Sequence, residues 1–481
     1  MRFSVTILVV LILATIFRSE SFVHTARVDG VPRIVDSEGN RLYIRGVQLE
    51  GWLQMTANFW ADYGLVGETH VYEGIRDVIG DTLFEEFRES VHETFITRAD
   101  IARIKQLGFN LVRVPVNHQQ WDSVPHARHT IDSLVRWCSD IGVYVMIDLH
   151  STPCPQNLFP MSDYVPFEKT LWEEWPSCMG RVCDIWRDIA KRYQEERAIY
   201  GYDLINEPST PADEEWKLQE AYREIIAAIR EIDTNHLILL EADKMSKDFS
   251  SFTPPEDTNI AYQFHTYDWF GEVTRDTVSK YAAIAREHGV PLINGEFGAN
   301  RNSWVESAVS VFEDQNSGVD GWVFWNWKSD YHPTGDFLGM PQGEVRYIQE
   351  ATISSENTPN WDILMHYASD WFRTAPKPAK SEALKGIDEF LGAIVLDKCS
   401  ENHELIRILF QRANDIQIQY RVTSRPAPFQ TSPTTSRFFT LTGRRYLESA
   451  GKTNNITSAR QVLIHAGDGE QGQRVIRTIS W

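Results

Sequence analysis

The sequence predicts an α/β fold, a (β/α)8 TIM barrel with a C-terminal extension whose order the sequence leaves open. Three observations predict it. Eight short β-rich runs recur between residues 43 and 328, separated by segments of helical periodicity. The runs are almost continuously apolar, as parallel strands buried on both faces require. The competing doubly wound sheet would want a glycine-rich phosphate turn after its first strand, and Arg45-Gly-Val-Gln-Leu-Glu-Gly-Trp52 is not one.

The runs fall at 43–47, 110–116, 144–150, 201–206, 236–241, 260–265, 291–296 and 321–327. Between them, Ile101, Ile104 and Leu107 stop at Gly108, and Ile131, Leu134, Val135, Cys138 and Ile141 stop at Gly142. Leu218, Tyr222, Ile225, Ile226, Ile229 and Ile232 form a third stripe, and Val278, Tyr281 and Ala285 end near Gly289. Apolar residues at this spacing followed by glycine mark amphipathic helices with left-handed C-terminal stops. Two connections are long, 53–95 and 151–195. Both follow strands, so in a barrel they belong to the catalytic face.

The ends differ from the middle. Arg2 precedes an apolar run over 5–17, too short to span a bilayer, which reads as a secretory signal peptide over 1–21. Residues 22–372 are the expected barrel domain. Arg373-Thr-Ala-Pro-Lys-Pro-Ala-Lys380 opens a linker over 373–383. The extension, 384–481, is helix-like to about 411 and reads beyond about 421 as poorly ordered or as a small appended module. Residues 373–481 carry 16 Lys and Arg against 10 Asp and Glu, whereas the whole chain has a net charge of −20, so the acidity lies in the barrel. A strongly acidic barrel argues against nucleic acid as a partner. The 16 tryptophans, 15 of them at or before Trp371, suit both a core and a cleft in which flat rings stack on sugars.

Barrel enzymes place their chemistry where strands end. Here the second run ends in Arg113-Val-Pro-Val-Asn117, the third in Asp148-Leu-His150 and the fourth in Asn206-Glu207-Pro208. The sixth ends in His265-Thr-Tyr267, the seventh in Gly295-Glu296-Phe297-Gly298, and the eighth contains Phe324-Trp325-Asn326-Trp327. A glutamate at one strand end is ordinarily a surface carboxylate. Glu207 and Glu296, on nearly opposite strands of the ring, converge across its mouth, and two carboxylates flanking a bond are what glycoside hydrolysis needs.

This ordered set resembles glycoside hydrolase family 5, the large cellulase family of the retaining (β/α)8 clan. The resemblance spans about residues 31–372 and includes the opening stretch 34–47 and Phe109-Asn-Leu-Val-Arg-Val-Pro115. It implies that Glu207 is the general acid/base and Glu296 the nucleophile, with carboxyl groups about 5–5.5 Å apart. Arg113 and Tyr267 would hydrogen-bond Glu296. Asn206 would hold the sugar 2-hydroxyl, His150 and His265 would line the −1 subsite, and Trp325 would form the floor beneath the ring. The chain departs from the family pattern at Gln48 and Glu50, where Asn and Gly are common, and at Cys154 in the loop 150–157, where glycine is common.

The implied activity is secreted, retaining hydrolysis of a β-glucan, endo-β-1,4-glucanase-like, with exo-β-1,3-glucosidase or β-mannanase action as alternatives. A non-catalytic carbohydrate-binding barrel would have lost one glutamate. A metal-dependent hydrolase would want ligand clusters at several strand ends, and Asp148-x-His150 is the only hint of one. The partner expected is therefore a β-linked polysaccharide or oligosaccharide, with no cofactor, no metal, no membrane span, and a monomeric enzyme. Of five cysteines, Cys178 and Cys183 can pair, or either can join Cys154. The one sequon is Asn455-Ile-Thr457.

Overall fold

The computed structural model describes residues 22–56, 60, 66–165, 168–267, 271–299, 301–330 and 347–415, with strand segments at 437–438, 446–447, 461–466 and 475–480. The stretch expected as a signal, the sequon and most of the distal tail lie outside the described residues.

A hairpin of β1 (His24–Val28) and β2 (Val31–Val35) precedes the barrel. The barrel strands are β3 (Ile44–Gln48), β4 (Leu111–Asn117), β5 (Tyr144–Ser151), β6 (Ile199–Asp203), β7 (Leu237–Glu241), β8 (Ile260–Tyr267), β9 (Leu292–Gly298) and β10 (Val319–Phe324). They pair in chain order, and β10 closes on β3, so the sheet has no edge. Every one of the eight predicted runs supplies one of these strands.

Side chains alternate along each strand, and the inward set changes character with height. Ile44, Leu111, Met146, Leu237, Leu239, Ala261, Ile293 and Val323 form an apolar plug inside the barrel, sealed by Val23, Ile34 and Leu42 from the hairpin region. Two or four residues further on, the inward positions are Arg113, Asp148, His150, Glu241, Gln263 and His265, all buried. The outward residues between them, such as Val112, Ile147, Leu240 and Phe264, pack against the surrounding helices. Gly295 in β9 is needed because a Cβ there would collide with the Gln263 side chain.

The barrel helices include α3 (Arg98–Leu107), α5 (Pro125–Ile141), α6 (Trp175–Tyr193), α7 (Trp216–Arg230), α8 (Arg275–His288) and α9 (Asn302–Phe312). The predicted stops at Gly108, Gly142 and Gly289 have φ of 107°, 81° and 76°, the left-handed region that glycine adopts without strain. α4 (His118–Ser123) is a short turn after β4.

The connection after β3 holds two further helices, α1 (Glu68–Ile79) and α2 (Asp81–Thr94). They pack with α10 (Pro359–Ala368) and α11 (Lys380–Ala393) around Trp60, Phe87, Trp361 and Phe390, the last two stacked at 4.1 Å. α11 thus begins inside the stretch expected as a linker and belongs to the barrel's packing. The buried Lys328 reinforces this: its Nζ pairs with Asp100 at 2.8 Å and donates to the carbonyls of Phe95 and Ile394. The helix-like stretch 384–411 divides into α11 and α12 (His403–Asp415), with Ser400–Glu401 between them pairing with Gln349–Ala351. The eighth predicted run is likewise shorter as a ladder, ending at Phe324, and Lys328–Asp330 joins Gln349–Ala351 in a separate small sheet.

Candidate active site

Glu207 and Glu296 meet above the barrel mouth, with one carboxylate oxygen of each within 4.8 Å of the other. They reach that position differently. Glu296 stands on a regular strand, β9. Glu207 lies just past the end of β6 with φ of 45°, a left-handed conformation that costs a non-glycine residue roughly 1–3 kcal/mol. Both its backbone groups are held by side chains: its N–H donates to Glu241 Oε2 at 2.7 Å, and its carbonyl accepts from Asn157 Nδ2 at 3.0 Å.

The two carboxylates have contrasting neighbours. Glu296 accepts from Arg113 Nη1 at 3.0 Å and from the Tyr267 hydroxyl. Glu207 Oε1 faces His265 Nδ1 at 2.9 Å. Burial pushes the Glu207 carboxyl upward, with Glu296 and Glu241 adding to the effect against the opposing pull of His265.

Arg113 is fully buried and meets four carboxylates: Asp148 at 3.2 Å, Asp203 at 2.8 Å, Glu241 at 2.9 Å and Glu296 at 3.0 Å. It also donates to Gln48 and to Asn206 Oδ1, each at 2.8 Å, which fixes the Asn206 amide. Asp148, Asp203 and Glu241 approach one another closely enough to suggest a cation site, but the Arg113 guanidinium already supplies the positive charge. Burial, then repulsion by Glu241, drives Asp203 well above the carboxylate range. Burial acts the same way on Glu241, yet His265, Arg113 and the Ser246 hydroxyl hold it at about 2.

On the far side, His150 Nδ1 binds Asp148 at 2.6 Å, and its Nε2 lies 4.0 Å from Glu50. Glu50 accepts from the Trp325 indole N–H at 2.6 Å and from Gln48 at 3.1 Å. Trp325 is half-buried, its ring nearly perpendicular to Tyr267 at 5.8 Å. The structure therefore gathers all eight sequence-identified residues, Arg113, His150, Asn206, Glu207, His265, Tyr267, Glu296 and Trp325, into one site.

The sequence profile of the cellulase family, glycosyl hydrolase family 5, matches residues 80–331. The chain belongs to glycosyl hydrolase family 5. Among its relatives are a β-xylosidase of Phanerodontia chrysosporium, 30% identical over 62% of this chain and 69% of the relative, and endoglucanase C of Acetivibrio thermocellus, 29% identical over 39% and 54%. A probable glucan 1,3-β-glucosidase A of Aspergillus fumigatus is 24% identical over 62% and 85%. Similar solved structures include the rutinosidase from Aspergillus niger, 16% identical over 63% of this chain and 93% of that one, with a TM-score of 0.48. The β-glucanase SdGluc5_26A from Saccharophagus degradans gives 20%, 64%, 84% and 0.46. This member of the family is a glycoside hydrolase acting on β-glucans or related glycosides.

Four residues of this glycosidase's site went unread in the sequence: Asp203, Glu241, Gln263 and Asn157. Glu241 carried the same signal as the others, since it closes the fifth apolar run. Asp203 and Gln263 sit inside runs and are found only by counting alternate inward positions. Asn157 is a loop residue whose role depends on the loop's path.

The histidines set a pH dependence of stability. Burial opposes the charged form of His150, but Asp148 and Glu50 prevail and raise it to about 9 from 6.5. Its contribution is full below pH 6.5 and is lost as pH rises through about 9. Burial raises Glu50 to about 7, so its protonated form is also lost in the folded state near neutrality. The unfolding midpoint is expected to fall between pH 7 and pH 9, with a loss on the order of 2 kcal/mol. A midpoint that stays level or rises over that range in differential scanning fluorimetry refutes the assignment.

Proposed function

We propose that the chain is a retaining β-glycosidase in which Glu207 is the general acid/base and Glu296 the nucleophile. The approach of the two carboxylates, within 4.8 Å, carries this reading. Retaining sites hold the pair about 5–5.5 Å apart, whereas inverting sites need about 6.5–9.5 Å to admit a water. The neighbours support the division of labour. Arg113 and Tyr267 donate to Glu296, which suits an attacking anion, and burial favours the protonated form of Glu207, which suits an acid. In the first step Glu296 attacks the anomeric carbon, the glycosidic C–O bond breaks, and Glu207 gives its proton to the leaving oxygen. In the second, Glu207 takes a proton from water, which displaces Glu296 with a second inversion. In this reading Asn206, whose amide Arg113 fixes, holds the 2-hydroxyl, and Trp325 supports the ring.

Two specificities remain in view. Endo-β-1,4-glucanase action is the first expectation, and the endoglucanase relatives support it. Glu50 favours the alternative, removal of a terminal residue by an exo-acting glucosidase. A carboxylate can bind two adjacent hydroxyls at once, and the 3- and 4-hydroxyls of a β-1,4- or β-1,3-glucan are both free only on the residue at its non-reducing end. The relatives named glucosidase and xylosidase also match over more of this chain than endoglucanase C does. We further propose that the enzyme is secreted and monomeric. The Cys154–Cys178 disulfide suits an oxidising compartment, and the eight site residues named above all lie on this one chain.

Hydrolysis of carboxymethyl-cellulose, lichenan, laminarin, mannan and aryl β-glycosides, with products followed by proton NMR, tests the reading. A β-anomer as the first product is expected, and an α-anomer overturns the retaining mechanism. Release of monosaccharide without loss of viscosity marks exo action, and a rapid viscosity fall with little reducing sugar marks endo action.

A further inference from the structure

Glu241 makes and breaks no bond in this scheme, yet much of the site converges on it. Oε1 accepts from Arg113 at 2.9 Å and from Gln263 at 2.8 Å, and lies 3.3 Å from His265 Nε2. Oε2 accepts the Glu207 N–H at 2.7 Å and the Ser246 hydroxyl. His265 therefore stands between two carboxylates, Glu207 at Nδ1 and Glu241 at Nε2.

The turn that follows β7 adds an independent observation. Lys244, Met245 and Ser246 have φ of 53°, 60° and 60°, three successive non-glycine residues in the left-handed region. Such strain persists only where surrounding contacts over-determine it. Here the contacts lead to the Glu207 turn: Met245 N–H donates to the Pro208 carbonyl at 3.0 Å, Thr210 N–H to Asp243 Oδ1 at 2.9 Å, and Lys244 Nζ to the Thr210 carbonyl at 2.7 Å.

We propose that Glu241 is a positioning residue for the acid, clamping the Glu207 backbone while holding His265 as a doubly protonated donor that sets how readily Glu207 gives up its proton. The inference rests on the reading of Glu207 as the general acid. The groups facing this chain are Arg113, Asp203 and Gln263 around Glu241, Glu296 in the field of His265, and Lys247 in the field of Glu207. Burial works against the charged form of His265, and the carboxylates, Glu241 foremost, raise it well above the usual range. Without the Glu241 charge the ring loses the foremost of the carboxylates that raise it and holds its second proton less tightly. The positive charge in direct contact with Glu207 is then reduced, an effect that outweighs release from the more distant Glu241 repulsion. Glu207 becomes the weaker acid.

The test compares Glu241→Gln and Glu241→Asp with wild type on two aryl β-glycosides of the sugar that the hydrolysis panel selects. A 2,4-dinitrophenyl leaving group departs without protonation, whereas a phenyl group needs it. Glu241→Gln is expected to lose about 100-fold on the phenyl glycoside and under about threefold on the dinitrophenyl one, in proportion to the demand for acid catalysis. The alkaline limb of kcat/KM should move up by about one pH unit. Glu241→Asp keeps the charge and should restore the limb. Equal losses on both substrates, or an alkaline limb that is unmoved or lowered, overturn the proposal. If Glu241→Gln does not fold, Glu241→Asp decides through the clamp alone, because the shorter side chain keeps the charge but draws back from the Glu207 N–H: a loss confined to the phenyl glycoside supports the proposal, and equal losses or no loss refute it. Glu207→Ala serves as the control, because absence of leaving-group dependence there sinks the acid reading itself.

Discussion

Glu296→Gly should lose turnover on its natural substrate by roughly 10⁴-fold or more, the scale seen when one member of a covalent catalytic machinery is removed. That corresponds to more than about 5 kcal/mol of lost transition-state stabilisation. The fold should survive, because Arg113 keeps three other carboxylate partners, Asp148, Asp203 and Glu241. The decisive readout is rescue by azide. With the carboxylate gone, azide can attack the anomeric carbon from the vacated face. The C–N bond forms as the glycosidic C–O bond breaks, and Glu207 protonates the leaving oxygen. The product from a β-glycoside is then an α-glycosyl azide. In Glu207→Ala the glycosyl-Glu296 intermediate still forms from an activated substrate, and azide should yield the β-glycosyl azide instead. The opposite stereochemical outcomes would exchange the two roles. A Glu296→Gly variant as active as wild type would remove Glu296 from the reaction.

Arg113→Met should be the most damaging substitution for stability. Arg113 is wholly buried, and its guanidinium is the shared partner of Asp148, Asp203, Glu241 and Glu296. Methionine fills much of the same volume but leaves those four carboxylates without the guanidinium they share. Breaking a buried ion pair from one side costs about 3–5 kcal/mol, and here four carboxylates lose one partner together. The sign of the pH effect separates this explanation from simple misfit. Uncompensated buried carboxylates bind protons more tightly than they do in the unfolded chain, so the variant should gain stability as the pH falls from 7 toward 5. Thermal unfolding across that range measures it. A variant as stable as wild type at pH 7, or one equally unstable at both pH values, would show that the cluster does not depend on the Arg113 charge.

The barrel itself was legible along the chain because its signals are local. An apolar run buried on both faces, a helical stripe and a terminal glycine are each written within a few residues. All eight strands could therefore be located, and with them Arg113, His150, Glu207, His265 and Glu296, since a strand end is a position in sequence as much as in space. The boundaries that shifted depend on distant partners. Nothing near Lys380 announces that α11 will pack against Trp60, Phe87 and Trp361, brought in from connections far away in sequence. The Arg373–Lys380 stretch reads as a linker by composition, although the helix that follows is part of the core.

By itself, then, the sequence determined the strand and helix pattern, the family resemblance, and which carboxylates occupy strand ends. Tertiary structure alone decided how those carboxylates differ from one another. Glu207, Glu241 and Glu296 are the same residue type at the same kind of position, yet one rests on a strained turn beside a histidine, one is clamped beneath it, and one lies against an arginine and a tyrosine. A carboxyl group's acidity and reach follow from burial and from charges a few ångströms away. Those charges come from strands far apart in the chain, so they exist only once the barrel has closed.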